Sequence, residues 1–278
     1  MQGKTVLITG ATSGIGLEAA VQLAKLGART VLVGRDPART AAAVAEVKQR
    51  AGSGAVESLL CDFVSQEQVR KLAADYRTQH DRLDVLVNNA GTGFKERTLT
   101  ADGIESTFAV NHLGAFLLTN LLLDLIVKSA PARIVNVSSR GHYRGTMDFD
   151  DLNFDKGYSI TRGYGRAKLA NVLFTRSLAK RLEGKGVAVN ALHPGAVATK
   201  IWTVAPRWVQ PILSIAKRWM LTPPQGASRV VFLAAGPEVE GKSGLYFDVN
   251  QVKQPSALAL DEKLGERLWQ ESARLVRL

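Results

Sequence analysis

Residues 5–16 read TVLITGATSGIG, an apolar, β-branched run that breaks into Gly10, Gly14 and Gly16. Glycines after such a strand let the chain turn tightly and bring backbone N–H groups and a helix N-terminus against a pyrophosphate. Glycines alone would make only a structural turn, so their setting decides the reading. Short apolar runs at 5–9, 30–34, 55–60, 85–88, 133–138, 188–193 and 244–248 alternate with segments of helical period around 15–27, 37–50, 65–79, 102–128, 163–184 and 224–235. This alternation predicts an α/β fold: one doubly wound parallel sheet of seven strands with helices on both faces. No fixed-period repeat and no low-complexity linker marks a second domain, so one domain over 1–278 is expected.

A chain of 278 residues with 46% hydrophobic content can bury one large core. The opening MQGKTVLITG reaches glycine too soon for a secretory or membrane segment and reads as a buried strand, so no transmembrane anchor and a cytoplasmic location are expected. Cys61 is the single cysteine, which rules out an internal disulfide, and its place in ESLLCDF predicts a core thiol. The net charge of +11 could draw nucleic acid or anionic membrane. Residues 184–237 contain no Asp or Glu, while Lys185, Lys200, Arg207, Lys217, Arg218 and Arg229 lie there, so more than half of the excess is local. No helix-turn-helix, zinc-finger or RNA-binding signature accompanies it, and no nucleic-acid partner is expected.

Ser138-Ser139 ends the fifth run, and Tyr164-Gly165-Arg166-Ala167-Lys168 opens the following helix. Positions i and i+4 share a helix face, so phenol and ammonium can point into one cleft. A phenol with an ordinary pKa of about 10 is a poor base at neutral pH, and nearby positive charge stabilises its phenolate. Serine can hold a carbonyl oxygen beside it. Taken alone, the Tyr164/Lys168 pair would be an ordinary solvated face.

In combination these motifs are similar to the short-chain dehydrogenase/reductase family. The matching residues run through most of the chain: TGxxxGxG at 9–16, Asp62, Asn88-Asn89-Ala90-Gly91, Asn111, Ser139, Tyr164, Lys168 and Pro194-Gly195-Ala196-Val197-Ala198-Thr199. The resemblance implies a Rossmann-type sheet in the order 3-2-1-4-5-6-7. It also implies that Tyr164 is the acid/base, Lys168 lowers its pKa and holds the ribose, Ser139 orients substrate and Asn111 positions a water for a proton relay. By the same resemblance the cofactor is held by Gly10, Thr12, Ser13, Gly14, Ile15, Gly16 and Arg35, by Asp62 at adenine, and by Phe63, Asn88, Ala90, Gly91 and Asn111. Tyr164, Lys168, Pro194, Gly195, Val197 and Thr199 complete that set.

The second run ends Val33-Gly34-Arg35-Asp36. A carboxylate there would bond the ribose hydroxyls, whereas a guanidinium suits a 2′-phosphate. Gly34 stands where NAD-preferring relatives carry an acid, and Arg35 follows with Arg39 a turn on, so NADP(H) is preferred and NAD(H) remains open. Asp36 could turn to the ribose or cap the next helix.

The 24 residues between Ser139 and Tyr164, with Asp148-Phe149-Asp150-Asp151-Leu152-Asn153, and the run Lys168-Leu169-Ala170-Asn171 resemble the retinol-dehydrogenase-like branch, which includes the WW-domain oxidoreductases. That implies a bulky apolar alcohol, aldehyde or ketone. Residues 200–222 hold three of the four tryptophans, Trp202, Trp208 and Trp219, and read as a lid over an apolar substrate, an interfacial helix on anionic membrane, or a core helix. Leu260, Leu264 and Leu268 predict an amphipathic helix over about 260–278, which could pack on its own domain, while the family resemblance implies a possible homo-oligomer through helices 102–128 and 163–184. Of the histidines, His112 faces away from Asn111, His142 lies in a loop, His193 precedes Pro194 and His80 is expected at the surface. No HExxH-like spacing occurs, and no metal is expected. The rival reading, a non-catalytic dinucleotide sensor, fits poorly with Asn111, Ser139, Tyr164 and Lys168 all present.

Overall fold

In a computed structural model the chain is described over residues 1–52, 54–197 and 220–278. The strands are β1 (Thr5–Thr9), β2 (Arg29–Gly34), β3 (Val56–Leu60), β4 (Val85–Asn88), β5 (Ala132–Val137), β6 (Val187–His193), β7 (Tyr246–Asp248) and β8 (Gln251–Lys253). They form one sheet in the order β3-β2-β1-β4-β5-β6-β7-β8. Every neighbouring pair is parallel except β7 and β8, which are antiparallel. The expected parallel order is therefore present, with an eighth strand added at its edge.

That strand was hidden by its turn. A two-residue hairpin needs left-handed backbone, and Val249 and Asn250 adopt φ 52° and 61° without the Asn-Gly or Asp-Gly pair that announces such turns. Gly244 was expected inside β7, but at φ 76° it belongs to the preceding turn.

Side chains alternate across the sheet and build two cores. Leu7, Val31, Val33 and Ala191 face α3 (Gln66–Gln79), α5 (Gly114–Leu121) and α7 (Ile160–Arg181), while Val6, Ile8, Leu32 and Leu192 face α1 (Gly14–Lys25), α2 (Pro37–Ala51) and α8 (Pro223–Ala235). Cys61 is buried in the first core, as a core thiol should be.

The helix expected over 102–128 is divided. It comprises α4 (Ser106–Phe108), a wide π turn over Ala109–Leu113, α5, and α6 (Leu123–Lys128) after a break at Leu122. Apolar spacing continues across these breaks, which is why the pattern conceals them. The Asn111 amide bonds the Thr107 and Thr92 carbonyls at 2.8 and 2.7 Å within the π turn, and such turns recur at functional sites.

The C-terminal stretch forms α9 (Ala257–Leu260) and α10 (Glu262–Leu275), and α10 packs along α7. Trp269 stands edge-on to Phe116 at 5.0 Å and beside Phe174 at 5.8 Å, so α10 covers the face shared by α5 and α7. Among the described residues no helix is long and apolar enough to cross a membrane. His80 departs from its expected surface position. It is 8% exposed, its ring 4.5 Å from Tyr76 and its Nε2 3.5 Å from the Glu57 carboxylate. A helix-ending polar residue looks exposed in sequence, yet α3 ends over the edge of the core.

Leu268, at 2% exposure, is a buried apolar anchor of α10. Leu268→Ala is expected to lower unfolding stability by about 2–3 kcal/mol, from lost apolar burial and the residual cavity. Chemical denaturation checks this.

Candidate active site

The turn after β1 is locked before any ligand is considered. Thr9 Oγ1 accepts the N–H groups of Asn89 and Ala90, both at 2.9 Å, and Asn89 Nδ2 donates to the carbonyls of Thr9 at 2.8 Å and Gly10 at 3.2 Å. The end of β4 is thereby tied to the glycine turn. Gly10 and Gly14 sit at φ 66° and 58°, where a Cβ would be strained. A Cβ on Gly16 would stand 2.4 Å from the Gly10 carbonyl oxygen. Ser13 is the N-cap of α1 but makes no side-chain cap bond, so the first N–H groups of α1 remain directed outward, as an anion site requires. These features fit a dinucleotide pyrophosphate.

At the end of β2, Gly34 packs where a Cβ would lie 2.3 Å from Thr40 Oγ1 and 2.4 Å from Thr12 Cγ2. Asp36 accepts the Arg39 N–H at 2.8 Å on Oδ1 and caps α2, one of the two roles open to it. Arg35 and Arg39 are exposed. Asp62 accepts the Val64 N–H at 3.3 Å, while the Phe63 ring is buried against Gly114, leaving mainly its backbone for a ligand. Asn88 likewise points inward, donating to Thr119 at 3.0 Å and Asn136 at 2.8 Å, so it supports the wall from behind.

Asn111, Ser139, Tyr164 and Lys168 converge at the C-terminal ends of β4 and β5. A side chain on Gly91 would meet Asn111 Oδ1 at 2.6 Å and Lys168 Nζ at 3.3 Å, so the glycine is what lets both groups occupy one spot. Asn111 Oδ1 is buried and has no hydrogen-bond partner, a free acceptor beside the ammonium. Lys168 is 3% exposed, donates to the Val137 carbonyl at 3.0 Å and lies 5.4 Å from the centre of the Tyr164 ring. Burial lowers its pKa from 10.5 to about 8. Burial pushes the Tyr164 phenol up, and its bond with the Ser139 hydroxyl opposes that rise.

His112 faces away from this cluster, as expected. Its Nδ1 meets Asn171 Oδ1 at 3.3 Å and its Nε2 meets Ser272 at 2.9 Å, and burial lowers its pKa to about 4. Asn171 shares the Val137 carbonyl with Lys168, at 3.5 Å, so a buried polar chain connects α10 to the lysine. Among the described residues no group of three or more His, Cys, Asp or Glu side chains could hold a metal ion.

The segment between Ser139 and Tyr164 is bolted down by a residue that motif reading passed over. Arg166, between Tyr164 and Lys168 in sequence, is 2% exposed. It donates to the carbonyls of Thr146 at 3.3 Å, Asp151 at 2.6 Å and Leu152 at 3.1 Å, and lies 3.5 Å over the Phe154 ring. Tyr158 then reaches across to the Phe94 carbonyl at 2.6 Å, joining this wall to the loop after β4. Thr9 and Asn89 stand inside the quoted motifs and Arg166 between Tyr164 and Lys168, so their one signal in the sequence is a polar side chain within a motif stretch.

Pro194 and Gly195 follow β6, with Gly195 at φ 95° against Arg229 and Leu221, and Val197 packs near Gly226. Thr199 lies outside the described residues, as does the expected lid apart from residues 220–222. The two flanks of that stretch meet: the Leu221 N–H donates to the Ala196 carbonyl at 2.9 Å, and Val197 bridges to Leu221.

Residues 4–210 match the short chain dehydrogenase family. The chain is 43% identical over 289 aligned positions to mouse retinol dehydrogenase 14, covering 99% of this chain and 86% of that protein. With human retinol dehydrogenase 13 it shares 42% identity, covering 99% and 85%. A crystal structure of an uncharacterized protein from Mycobacterium Paratuberculosis superposes with a TM-score of 0.80 at 31% identity, covering 99% of this chain and 94% of that one. A structure from Beutenbergia cavernae described as an NAD(P)-dependent gluconate 5-dehydrogenase, with NADP bound at low occupancy, superposes at TM-score 0.71 and 26% identity, covering 90% and 96%. A 3-ketoacyl-(acyl-carrier-protein) reductase from Brucella melitensis complexed with NADH does so at 0.70 and 28%, covering 89% and 97%. The resemblance to retinol dehydrogenases expected from residues 140–163 and 168–171 is thus present over the whole chain.

The buried ammonium has a thermodynamic consequence. Below pH 8 the folded chain holds Lys168 charged out of water, and the shift from 10.5 to about 8 corresponds to about 3 kcal/mol of destabilisation. Between those values the unfolded chain binds the extra proton, so this penalty fades as pH rises from 8 to 10.5. Lys168→Met is therefore expected to be more stable than the parent at neutral pH, by on the order of 2 kcal/mol after loss of the Val137 bond. The difference should shrink across that alkaline window, and thermal unfolding as a function of pH measures it.

Proposed function

The chain belongs to the short-chain dehydrogenase family, and from that premise we propose that it interconverts an alcohol and a carbonyl with NADP(H) as the preferred carrier. The observation that carries this reading is the convergence of the Ser139 hydroxyl, the Tyr164 phenol and the buried Lys168 ammonium beside the free oxygen of Asn111.

Held by the Gly10–Gly16 turn, the N-terminus of α1 and Lys168, a nicotinamide dinucleotide would supply the hydride that a carbonyl carbon accepts, or take the one an alcohol gives up. Ser139 donates a hydrogen bond to the substrate oxygen and fixes it beside the phenol. In reduction Tyr164 gives its proton to that oxygen, and in oxidation its phenolate removes it. Burial alone makes the phenol a weaker acid, so the Lys168 ammonium and the Ser139 bond have to stabilise the phenolate as the proton leaves. The unpartnered Asn111 oxygen next to Lys168 is placed to hold a water that restores the proton.

The end of β2 supports the choice of NADP(H). A carboxylate at position 34 would displace Thr12 and Thr40, and Asp36 spends Oδ1 on the cap of α2. Arg35 and Arg39, both exposed there, suit a 2′-phosphate. For the substrate we take a bulky apolar alcohol, aldehyde or ketone. The similarity to proteins named for retinol supports this, and the apolar composition of residues 200–222, with Trp202, Trp208 and Trp219, suits a lid over such a substrate. A cytoplasmic enzyme is the accompanying proposal.

Tyr164→Phe should lower kcat by at least about 100-fold in a screen of aldehydes and ketones followed by NADPH absorbance. Turnover equal to the parent would refute the mechanism. Arg35→Ala should weaken NADPH binding by about tenfold or more and leave NADH binding nearly unchanged, since only the former loses a charge-assisted bond. Titration with both cofactors decides, and equal losses would remove the NADP assignment.

A further inference from the structure

Ser139 begins a tight 3-10 turn, Arg140–Arg144, and caps it by accepting the Gly141 N–H at 3.1 Å. Two groups of His142 converge on the Ser139 carbonyl: the backbone N–H at 3.1 Å and ring Nδ1 at 2.7 Å. A carbonyl oxygen only accepts, so Nδ1 carries the proton. Nε2 is then a lone pair, and it accepts the backbone N–H of Ser256 at 3.2 Å. Both ring nitrogens are thus engaged, and only the neutral Nδ1–H tautomer satisfies them. Protonation would set Nε2–H against the Ser256 N–H.

The ring is fully buried between Tyr143 and Tyr246, with centroids at 4.0 and 4.6 Å. Burial also holds its pKa below the ordinary histidine value, which keeps it neutral. The neighbouring Tyr143 hydroxyl donates to the Gln254 carbonyl at 2.7 Å, so adjacent residues tie the turn to the same C-terminal stretch. Ser256 in turn accepts the Ala259 N–H at 3.4 Å and caps α9, which leads into α10. On the opposite side of the turn, a Cβ on Gly141 would lie 3.3 Å from the Tyr164 ring and 3.5 Å from Ser139 Oγ. The turn therefore lies between the Tyr164 phenol and the His142 imidazole.

Packing alone would be served by phenylalanine. What imidazole adds is a donor on one edge and an acceptor on the other, the former spent on the residue that carries the substrate-orienting hydroxyl. We propose that His142 is a positioning residue that fixes Ser139 Oγ against the Tyr164 phenol, with the C-terminal stretch at Ser256 as its anchor. The proposal rests on the roles assigned above to Ser139 and Tyr164.

Three substitutions separate the two edges of the ring. His142→Asn keeps an amide donor near the Nδ1 position, His142→Gln reaches the Ser256 N–H but withholds that donor, and His142→Phe keeps the ring contacts and loses both bonds. Phenolate absorbance, taken as the difference between each protein and its Tyr164→Phe counterpart, reports the ionisation of Tyr164 without any substrate. The Gln and Phe variants should titrate Tyr164 at higher pH than the parent, because the Ser139 bond that opposes burial is slackened. Their kcat should fall about tenfold or more with KM changed less than about threefold, the loss of one oriented hydrogen bond. His142→Asn should return both readings to near the parent's. If Asn resembles Gln in the titration, or if the readings of all three merely follow their thermal midpoints, His142 has no positioning role. Should the parent reduce no carbonyl offered, the functional reading fails, while the phenol titration still decides the question of His142.

Discussion

A charged ammonium removed from water at the junction of β5 and α7 is the constraint around which this protein is arranged. Lys168 has one carbonyl, that of Val137, as its hydrogen-bond acceptor and no carboxylate within ion-pair distance among the described residues, so its charge is held against burial. Such a group persists only where surrounding structure over-determines it, and a strained or destabilised site is a frequent companion of function. The helix carrying it is among the most deeply embedded parts of the fold, flanked by β5, β6, the turn after Ser139 and α10. Moving the lysine would require moving all of these together.

The remaining parts of the site are held by contacts that leave little slack. Gly91 makes room for the lysine and Asn111 at once, and Gly141 lets the serine turn lie against the tyrosine ring. Asn89 and Thr9 tie the glycine turn to the strand beside it. In each case a small or polar residue brings two backbones close enough for a third group to be aimed. The wall formed by residues 146–158 is rigidified in a different way, by a buried arginine that stacks on Phe154 and saturates three carbonyls. An arginine suits this because its planar fork satisfies several acceptors with little loss of freedom per bond.

The C-terminal stretch supports the site from behind. α10 covers the aromatic surface of α5 and α7 with Trp269 and reaches the π turn through Ser272 and His112, while the residues just before α9 receive His142 and Tyr143. Asn111 and Ser139 thus each have a neighbour tied to this last part of the chain. Packing of α10 on its own body is the arrangement that its amphipathic spacing allowed.

The order of apolar runs and helical segments, the glycine turn after the first strand, and the shared helix face of Tyr164 and Lys168 were all legible in the sequence, because each is a local periodicity or spacing. Ser139 and Asn111 could be recognised by their order along the chain. What the sequence could not express are the contacts between distant segments. The β7–β8 turn lacks glycine and is held by its ladder and by the Arg140–Asp248 ion pair, and the π turn keeps the apolar spacing of a straight helix. His80 is polar at a helix end yet covered by the sheet, and the tautomer of His142 depends on a backbone N–H 114 positions away. Those features exist only when the chain is closed. Local chemistry specified the elements and the candidate site groups, and long-range packing decided how tightly each group is aimed.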